Sequence, residues 1–228
     1  LIYEQVQSLE LTGDIKRVIT DKQTIEAKTV VIASGAKPRT LGVANEGRLR
    51  GRGVSYCATC DGFFFKDQPV AVVGGGDTAV EEAMYLTKMC SSVTLIHRRD
   101  ELRANKLAQS RALANEKLHI LYDTVVDEIV GDEKVTQLKL RNKKTDETSQ
   151  LDINGVFIFV GYLPNDAFLP PELEVNQQGY IITDEEMATN IPGVFAVGDV
   201  RQKKLRQVTT AVGDGGAVMH AIEEYLRD

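Results

Sequence analysis

The sequence predicts an α/β protein in which one α/β domain is inserted into another. An apolar, strand-like run at residues 70–73 is followed by a glycine turn and an amphipathic helix at residues 78–89. The alternation of strand and helix then repeats up to residue 116, which indicates a βαβ unit. Connections rich in glycine or proline lie near residues 40 and 163. We therefore expect residues 41–163 to form the inserted domain.

The outer domain is expected to consist of two separate pieces, residues 1–40 and residues 164–228. The first piece contains a short β meander and then a strand at residues 29–33, which ends on Ser34 and Gly35. The second piece contains a strand near residues 194–197 and a helix from about residue 209 to residue 225.

Bulk composition excludes several classes of function. The 228 residues carry a net charge of −6 and are 43% hydrophobic, as in ordinary globular proteins. The acidic excess argues against a nucleic-acid or anionic-membrane partner, because such partners select basic surfaces. Apolar runs are strand-sized, so we expect no membrane segment, and no signal-peptide pattern is visible. Three cysteines do not make a secreted disulfide framework, so we expect a reducing compartment, the cytoplasm.

The glycine loop after residue 73 has the G-x-G-x-x-A pattern of a dinucleotide site. Its first glycine would make the turn, its second would let a pyrophosphate approach the backbone, and the following helix would attract that anion. The strand before it and the helix after it supply the required context. A tight turn without a ligand is the alternative. The predicted contacts are Gly74, Gly76, Asp77, Thr78 and Ala79.

The end of the next strand indicates which dinucleotide is bound. NAD sites usually place an acidic residue there, whereas an arginine accepts the 2′-phosphate of NADP. This sequence has His97, Arg98 and Arg99 at that place, and Arg103 follows at the expected start of a helix over residues 102–116. Positive side chains are unfavourable at a helix start, because the N-terminal end of the helix dipole is itself positive. A bound phosphate therefore explains these arginines better than a solvated surface does. The sequence favours NADPH over NADH.

Cys57 and Cys60 form a C-x-x-C motif, in which a turn brings two thiols within disulfide range. Structural zinc needs four ligands, and no second cysteine pair is present. An inert buried pair is a further alternative. We favour a redox pair because a nicotinamide site is predicted in the same domain. Asp61 follows as a candidate acid and base, or as part of a turn with Gly62. Cys90 falls on an apolar helix face and is expected to be a packed thiol.

Several linked motifs closely resemble those of the low-molecular-weight, bacterial-type thioredoxin reductases. The resemblance covers essentially the whole sequence and keeps the motifs in the family's order. It rests on residues 51–64, 72–83, 97–100, 191–200 and 206–215. It implies a flavoprotein with two dinucleotide-binding domains, in which an NADPH-binding, Rossmann-like domain is inserted into a split FAD-binding domain.

The resemblance also implies an activity and the residues that perform it. Electrons would pass from NADPH through FAD to the Cys57–Cys60 disulfide and then to thioredoxin. Cys60 would be the thiol nearest the flavin, and Asp61 the general acid. The implied partners are thioredoxin and a second copy of the chain, since the family is typically homodimeric. Positions that match the family's FAD contacts are Gly198, Asp199, Arg206, Gln207 and Val208.

The sequence departs from the family at its start. Family members begin with a strand and a G-x-G-x-x-G loop that binds the FAD pyrophosphate, and that segment is lacking here. We therefore expect a polypeptide of only these residues to bind NADPH without FAD, and to expose apolar strand surface at residues 30–33 and 194–197. The alternatives are an NADPH-binding fragment or scaffold without flavin activity, and a peroxiredoxin-reducing relative.

Overall fold

The computed structural model describes residues 1–227 and divides the chain into two compact units. One unit contains residues 1–37 and the chain from residue 162 onwards, and the other contains residues 38–161. These divisions lie beside the positions near residues 40 and 163 where the composition of the sequence changes. The predicted α/β class is confirmed. No helix within the described residues has the length and apolar character needed to cross a membrane.

The first unit begins with an antiparallel meander, as the turn signals in the sequence predicted. Strands β1 (Val6–Glu10), β2 (Lys16–Thr20) and β3 (Thr24–Ala27) pair in that order. Two short strands follow, β4 (Val30–Ile32) and β5 (Ala36–Pro38).

The second unit contains two sheets. Its strands are, in chain order, β6 (Val54–Ser55), β7 (Pro69–Gly74), β8 (Ser92–Ile96), β9 (Leu118–Leu121), β10 (Thr124–Val130), β11 (Gln137–Asn142), β12 (Thr148–Asp152) and β13 (Gly155–Phe159). A parallel sheet has the strand order β6-β13-β7-β8-β9, and β10, β11 and β12 form an antiparallel sheet. Strands β7 and β13 are almost continuously apolar because both faces of a parallel sheet are covered.

Three helices accompany these sheets: α1 (Ala58–Asp61), α2 (Asp77–Leu86) and α3 (Lys106–Leu113). The predicted apolar face of α2 is confirmed, since Ala79, Ala83 and Leu86 are fully buried in the core of the unit. Cys90 is also fully buried, as expected, but it lies in the turn that follows the helix.

Helix α3 begins later than the sequence predicted. Asn105 caps it by accepting a hydrogen bond from the Ala108 N–H at 2.9 Å. The residues before the cap cross over the glycine loop, where the backbone N–H of Arg103 donates to the Gly75 carbonyl at 2.6 Å. Arg103 therefore lies before the helix. The expectation that its charge opposes the dipole at a helix start was wrong. The case for a phosphate depends instead on where the arginine side chains lie.

The chain returns to the first unit through β14 (Tyr162–Pro164), which pairs with β5, and β15 (Val194–Ala196), which runs parallel to β4. Helix α4 (Val208–Arg227) ends the described chain. The expectation of exposed surface at residues 194–197 was wrong. Those four residues are buried, because β15 packs between one core around Val200 and another that includes Val218 of α4. At residues 30–33 the expectation is confirmed in part, since Val31 exposes 38% of its surface and Ala33 is exposed, whereas Ile32 is buried.

Candidate active site

The Cys57–Cys60 disulfide lies at the start of α1 in the second unit. Cys57 is the N-cap residue of α1, and its sulfur accepts a hydrogen bond from the backbone N–H of Cys60 at 3.2 Å. Cys60 is exposed and Cys57 is partly buried, so the pair is open to solvent and differs from an inert core pair. No cluster of His, Cys, Asp or Glu that could hold a metal occurs among residues 1–227.

Ser55 connects the disulfide to the carboxylate of Asp61. Its hydroxyl donates to Asp61 Oδ2 at 2.6 Å and accepts from the backbone N–H of Cys57 at 3.1 Å. Asp61 is half-buried at the end of the helix that carries both cysteines. This arrangement orients a carboxylate beside the redox pair. Sequence analysis missed Ser55, because its link to Asp61 appears only when the chain is folded.

The aromatic residues after Asp61 are exposed next to the disulfide. Phe63 and Phe64 expose 75% and 73% of their surface. Gly62, which precedes them, lies so close to α2 that a Cβ atom there would come within 2.9 Å of Leu86. The helix is thereby held on α2 while the two phenyl rings face solvent. Both residues fall within the motif at residues 51–64, but the sequence alone indicated no role for them.

Each glycine of the loop after β7 has a different environment. A Cβ at Gly74 would lie 2.5 Å from the Phe159 carbonyl oxygen and 2.6 Å from the Ala79 Cβ, so strand and helix meet at that glycine. A Cβ at Gly75 would collide with the ring of His97. Gly76 has nothing within 4 Å of the corresponding position, and no side chain caps the N-terminus of α2 there. The first turn of α2 is therefore open, as an anion site requires.

A cavity of about 360 Å³ lies beside this loop, a size within the range of ligand pockets. Arg98 and Arg103 line it, whereas Arg99 is not part of its lining. Arg39 and Thr40 also line it, and sequence analysis missed them because no motif signals residues at this connection.

His97 lies between the glycine loop and the cavity and is 4% exposed. Its Nδ1 atom is 3.1 Å from the Gly74 carbonyl oxygen, while Nε2 is buried without a partner among the described residues. Burial lowers the pKa of His97, so the imidazole is neutral at neutral pH. His97 therefore supports the glycine loop at the edge of the cavity.

Asp77, Thr78 and Ala79 have distinct positions at the start of α2. Asp77 Oδ1 accepts hydrogen bonds from the backbone and side-chain nitrogens of Asn105, each at 2.8 Å, and these bonds lower the pKa of Asp77. Asp77 thus joins the beginnings of α2 and α3. Thr78 is exposed, and Ala79 is fully buried against the first glycine.

The residues matched to a flavin site lie in the first unit, around the end of β15. Gly198 has a positive φ of 72°, and its N–H donates to Asp214 Oδ2 at 2.8 Å. Asp199 Oδ1 is buried without a hydrogen-bond partner among residues 1–227. The Arg206 guanidinium lies 3.9 Å from the centre of the Tyr180 ring. Gln207 and Val208 are exposed at the start of α4.

Comparison with known proteins places this geometry in a family. Residues 2–215 match the family described as pyridine nucleotide-disulphide oxidoreductase. The thioredoxin reductase of Listeria innocua is 48% identical over 227 residues, which cover 95% of this chain and 71% of that protein. The thioredoxin reductase of Peptoclostridium acidaminophilum is 46% identical over 231 residues, which cover 99% of this chain and 73% of that protein.

Solved structures agree with these relatives. A crystal structure of thioredoxin reductase from Streptococcus pyogenes has a TM-score of 0.89 and 52% identity, covering 99% of this chain and 74% of that one. The thioredoxin reductase of Giardia duodenalis has a TM-score of 0.91 at 35% identity, covering 100% of this chain and 76% of that one. The resemblance predicted from the sequence is confirmed. The chain belongs to the pyridine nucleotide-disulphide oxidoreductase family, among the bacterial-type thioredoxin reductases.

Proposed function

We propose that this chain carries the NADPH site and the redox disulfide of a thioredoxin-disulfide reductase, with FAD as the second cofactor. The observation that carries the proposal is an exposed Cys57–Cys60 disulfide in the same unit as an open glycine loop and an arginine-lined cavity. In this proposal the second unit is an NADPH-binding domain inserted into the split FAD-binding domain.

The cavity beside the glycine loop suits the adenosine end of NADPH. The open first turn at Gly76 offers backbone N–H groups to a pyrophosphate. Arg98 and Arg103 offer guanidinium groups to the 2′-phosphate, which guanidinium binds through paired hydrogen bonds. His97 and Arg98 directly follow β8, where NAD sites place an acidic residue, and neither Asp100 nor Glu101 lines the cavity. These features support NADPH over NADH.

Asp199 is the residue whose surroundings best fit a flavin cofactor in the first unit. Its buried and unpartnered Oδ1 is an acceptor that lacks a donor, and such an atom fits a hydroxyl group of FAD. Arg206, Gln207 and Val208 at the start of α4 would face the ring, where the helix N-terminus stabilises negative charge. When bound, FAD supplies a carrier for the electron pair between nicotinamide and disulfide.

The residues of α1 perform the proton and thiol chemistry. Reduction of the Cys57–Cys60 disulfide takes two electrons and two protons and yields two thiols. Asp61, oriented by Ser55, is placed to deliver a proton to one of them. A thiolate of the pair then attacks the substrate disulfide, and the second thiol resolves the mixed disulfide. We propose Cys60 as the thiol nearest the flavin, which leaves Cys57 to attack the substrate.

Thioredoxin would bind on the exposed side of α1. Phe63 and Phe64 provide an apolar surface beside the disulfide, and exposed aromatic pairs of this kind mark protein-binding sites. The homodimer that the resemblance implies and the cytoplasmic location stay predictions.

Serine variants of the cysteines test this proposal in the FAD-loaded reductase. Cys57→Ser or Cys60→Ser should abolish NADPH-driven reduction of thioredoxin, because a single thiol cannot complete the exchange. Reduction of bound flavin by NADPH, followed by stopped-flow absorbance, should persist, since hydride transfer needs no thiol. Cys90→Ala is the matched control, because Cys90 is buried away from solvent, and it should keep thioredoxin turnover.

Two results would contradict the proposal. Near wild-type thioredoxin turnover in either serine variant would show that the pair is not the electron carrier. A wild-type protein that binds NADPH but never reduces flavin would indicate a nucleotide-binding scaffold.

A further inference from the structure

Glu82 of α2 lies behind the helix that carries the redox pair. Helix α1 packs directly on α2, and Ala58 of α1 is fully buried in one core with Ala79 and Ala83. Glu82 lies in the same stretch of α2, and its Oε2 atom is buried without a hydrogen-bond partner among residues 1–227. An ionised carboxylate with a buried oxygen and no cation beside it is costly unless nearby polar groups compensate.

The surroundings of Glu82 explain how its charge is tolerated. Burial raises the pKa of Glu82, while the backbone N–H groups of Ala58 and Thr59 act in the opposite direction. Those N–H groups belong to the first turn of α1, directly after Cys57. The Glu82 side chain therefore approaches the first turn of α1, the short helix on which the disulfide is built.

The other charged groups near this contact do not neutralise Glu82. Glu81, its neighbour on α2, raises the pKa of Glu82 further. Asp61 is the charged side chain of α1, and it is held by Ser55. Lys106 and Arg111 lie on α3, which also packs on α2, and neither pairs with Glu82 within the described chain. The strands that α2 covers, β7, β8 and β13, contain no charged residue.

We propose that Glu82 is a positioning residue that holds the start of α1 and limits how strongly the helix start stabilises a thiolate of the reduced Cys57–Cys60 pair. Backbone N–H groups at a helix start ordinarily lower the pKa of a cysteine there and stabilise its thiolate. The Glu82 carboxylate occupies those groups and adds a like charge near any thiolate. Because thiols titrate near pH 8.5, well above ordinary carboxyl groups, Glu82 is ionised while they lose their protons.

This arrangement has a consequence for electron transfer. A C-x-x-C pair becomes a strong oxidant when its reduced form is stabilised as a thiolate. When the thiolate is not stabilised, the dithiol remains a good reductant. This property suits a pair that passes its electrons to a substrate disulfide. The inference deepens the proposed function, because it concerns the reduced state that the proposed function requires.

The Glu82→Gln variant tests the inference, since glutamine keeps the size and one acceptor oxygen and removes the charge. The protein is reduced with dithiothreitol, and the rate of alkylation by iodoacetamide is followed against pH, with mass spectrometry assigning each cysteine. The midpoint for Cys57 should fall by roughly half to one pH unit relative to wild type. In glutathione redox buffers the variant should also hold more dithiol at equilibrium.

Two controls accompany the titration. Glu81→Gln removes an exposed charge one residue away and should move the midpoint much less. Cys90 is an internal reference, because burial raises the pKa of its thiol to about 11 and keeps it from alkylation in the folded protein. Glu82→Ala is the second variant if Glu82→Gln does not fold, and its midpoint should move in the same direction.

A folded Glu82 variant with the wild-type midpoint would overturn the inference, as would an equal shift in Glu81→Gln. Because dithiothreitol reduces the pair, the titration needs no NADPH, FAD or thioredoxin. A shifted midpoint in a protein that fails to reduce thioredoxin would therefore count against the proposed function and leave the role of Glu82 standing.

Discussion

The starts of helices α1 and α2 lie in the same unit and have the same backbone polarity, yet their surroundings are opposite. At α2, Gly76 leaves space and no side chain caps the first turn. At α1, the Cys57 sulfur accepts the N–H of Cys60, and the Glu82 carboxylate lies against the preceding N–H groups. A helix start with free N–H groups can bind an external anion. Where those N–H groups are already paired, the helix dipole stabilises additional negative charge only weakly.

The start of α3 supports this distinction. Its first turn is closed by the side chain of Asn105, and Asp77 in turn binds Asn105. Of the three α-helix starts in the second unit, as far as the chain is described, α2 alone is open to an anion. The local side chains, and not the helix itself, therefore decide where a phosphate would bind.

The largest effect is expected from the arginines beside the open start. A hydrogen bond to a charged group contributes about 1.5–3 kcal/mol, so Arg98→Ala or Arg103→Ala should weaken NADPH binding by roughly 10- to 150-fold for each lost contact. NADH binding should barely change, because NADH lacks the 2′-phosphate. Isothermal titration calorimetry with both coenzymes measures the effect. Arg111→Ala on α3 is the control, since that exposed side chain lies outside the cavity lining.

Equal losses of NADH and NADPH affinity would contradict a phosphate site beside the open start of α2. They would mean that Arg98 and Arg103 hold the fold around the cavity and do not recognise a phosphate.

A smaller effect is expected when the open start of α2 is partly filled. Gly76→Ala places a methyl group where the backbone is expected to meet pyrophosphate, and should weaken NADPH and NADH alike, by roughly tenfold. The free protein has room for that methyl group and a negative φ at Gly76, so its melting temperature should change little. Gly216→Ala, on α4 and also in open space, is the control that should leave binding intact. Unchanged coenzyme binding in Gly76→Ala would place the pyrophosphate elsewhere.

Much of the second unit could be predicted from the sequence because its signals are local. The apolar run before Gly74, the periodicity of Ala79, Ala83 and Leu86, and the C-x-x-C spacing each depend on neighbours in the chain. The start of α3 could not be predicted, because the segment before it is held by hydrogen bonds to the Gly75 carbonyl, a contact made only in the folded unit.

The remaining failures have the same cause. Burial of Phe195 and Val197 depends on α4 covering β15, and no local pattern records which helix covers a strand. In the sequence, Glu82 occupies an ordinary polar position of an amphipathic helix. Its burial becomes evident only in the folded unit, where α1 packs beside α2. Tertiary contacts of this kind decide which member of a polar helix face becomes buried.

The smallest effect is expected from Phe63 and Phe64, which follow α1 and offer an apolar surface to a protein partner. Phe63→Ala or Phe64→Ala should raise the KM for thioredoxin by roughly two- to fivefold, because most single truncations in a protein–protein interface cost about 1 kcal/mol or less. The kcat should change little, and so should turnover of a small aromatic disulfide, which needs no protein surface. Leu113→Ala is the control, since Leu113 is 66% exposed but lies on α3. An equal loss of activity toward the small disulfide would show that the phenyl rings support α1 and do not bind thioredoxin. The start of α1 would then not differ from that of α2 by binding a protein.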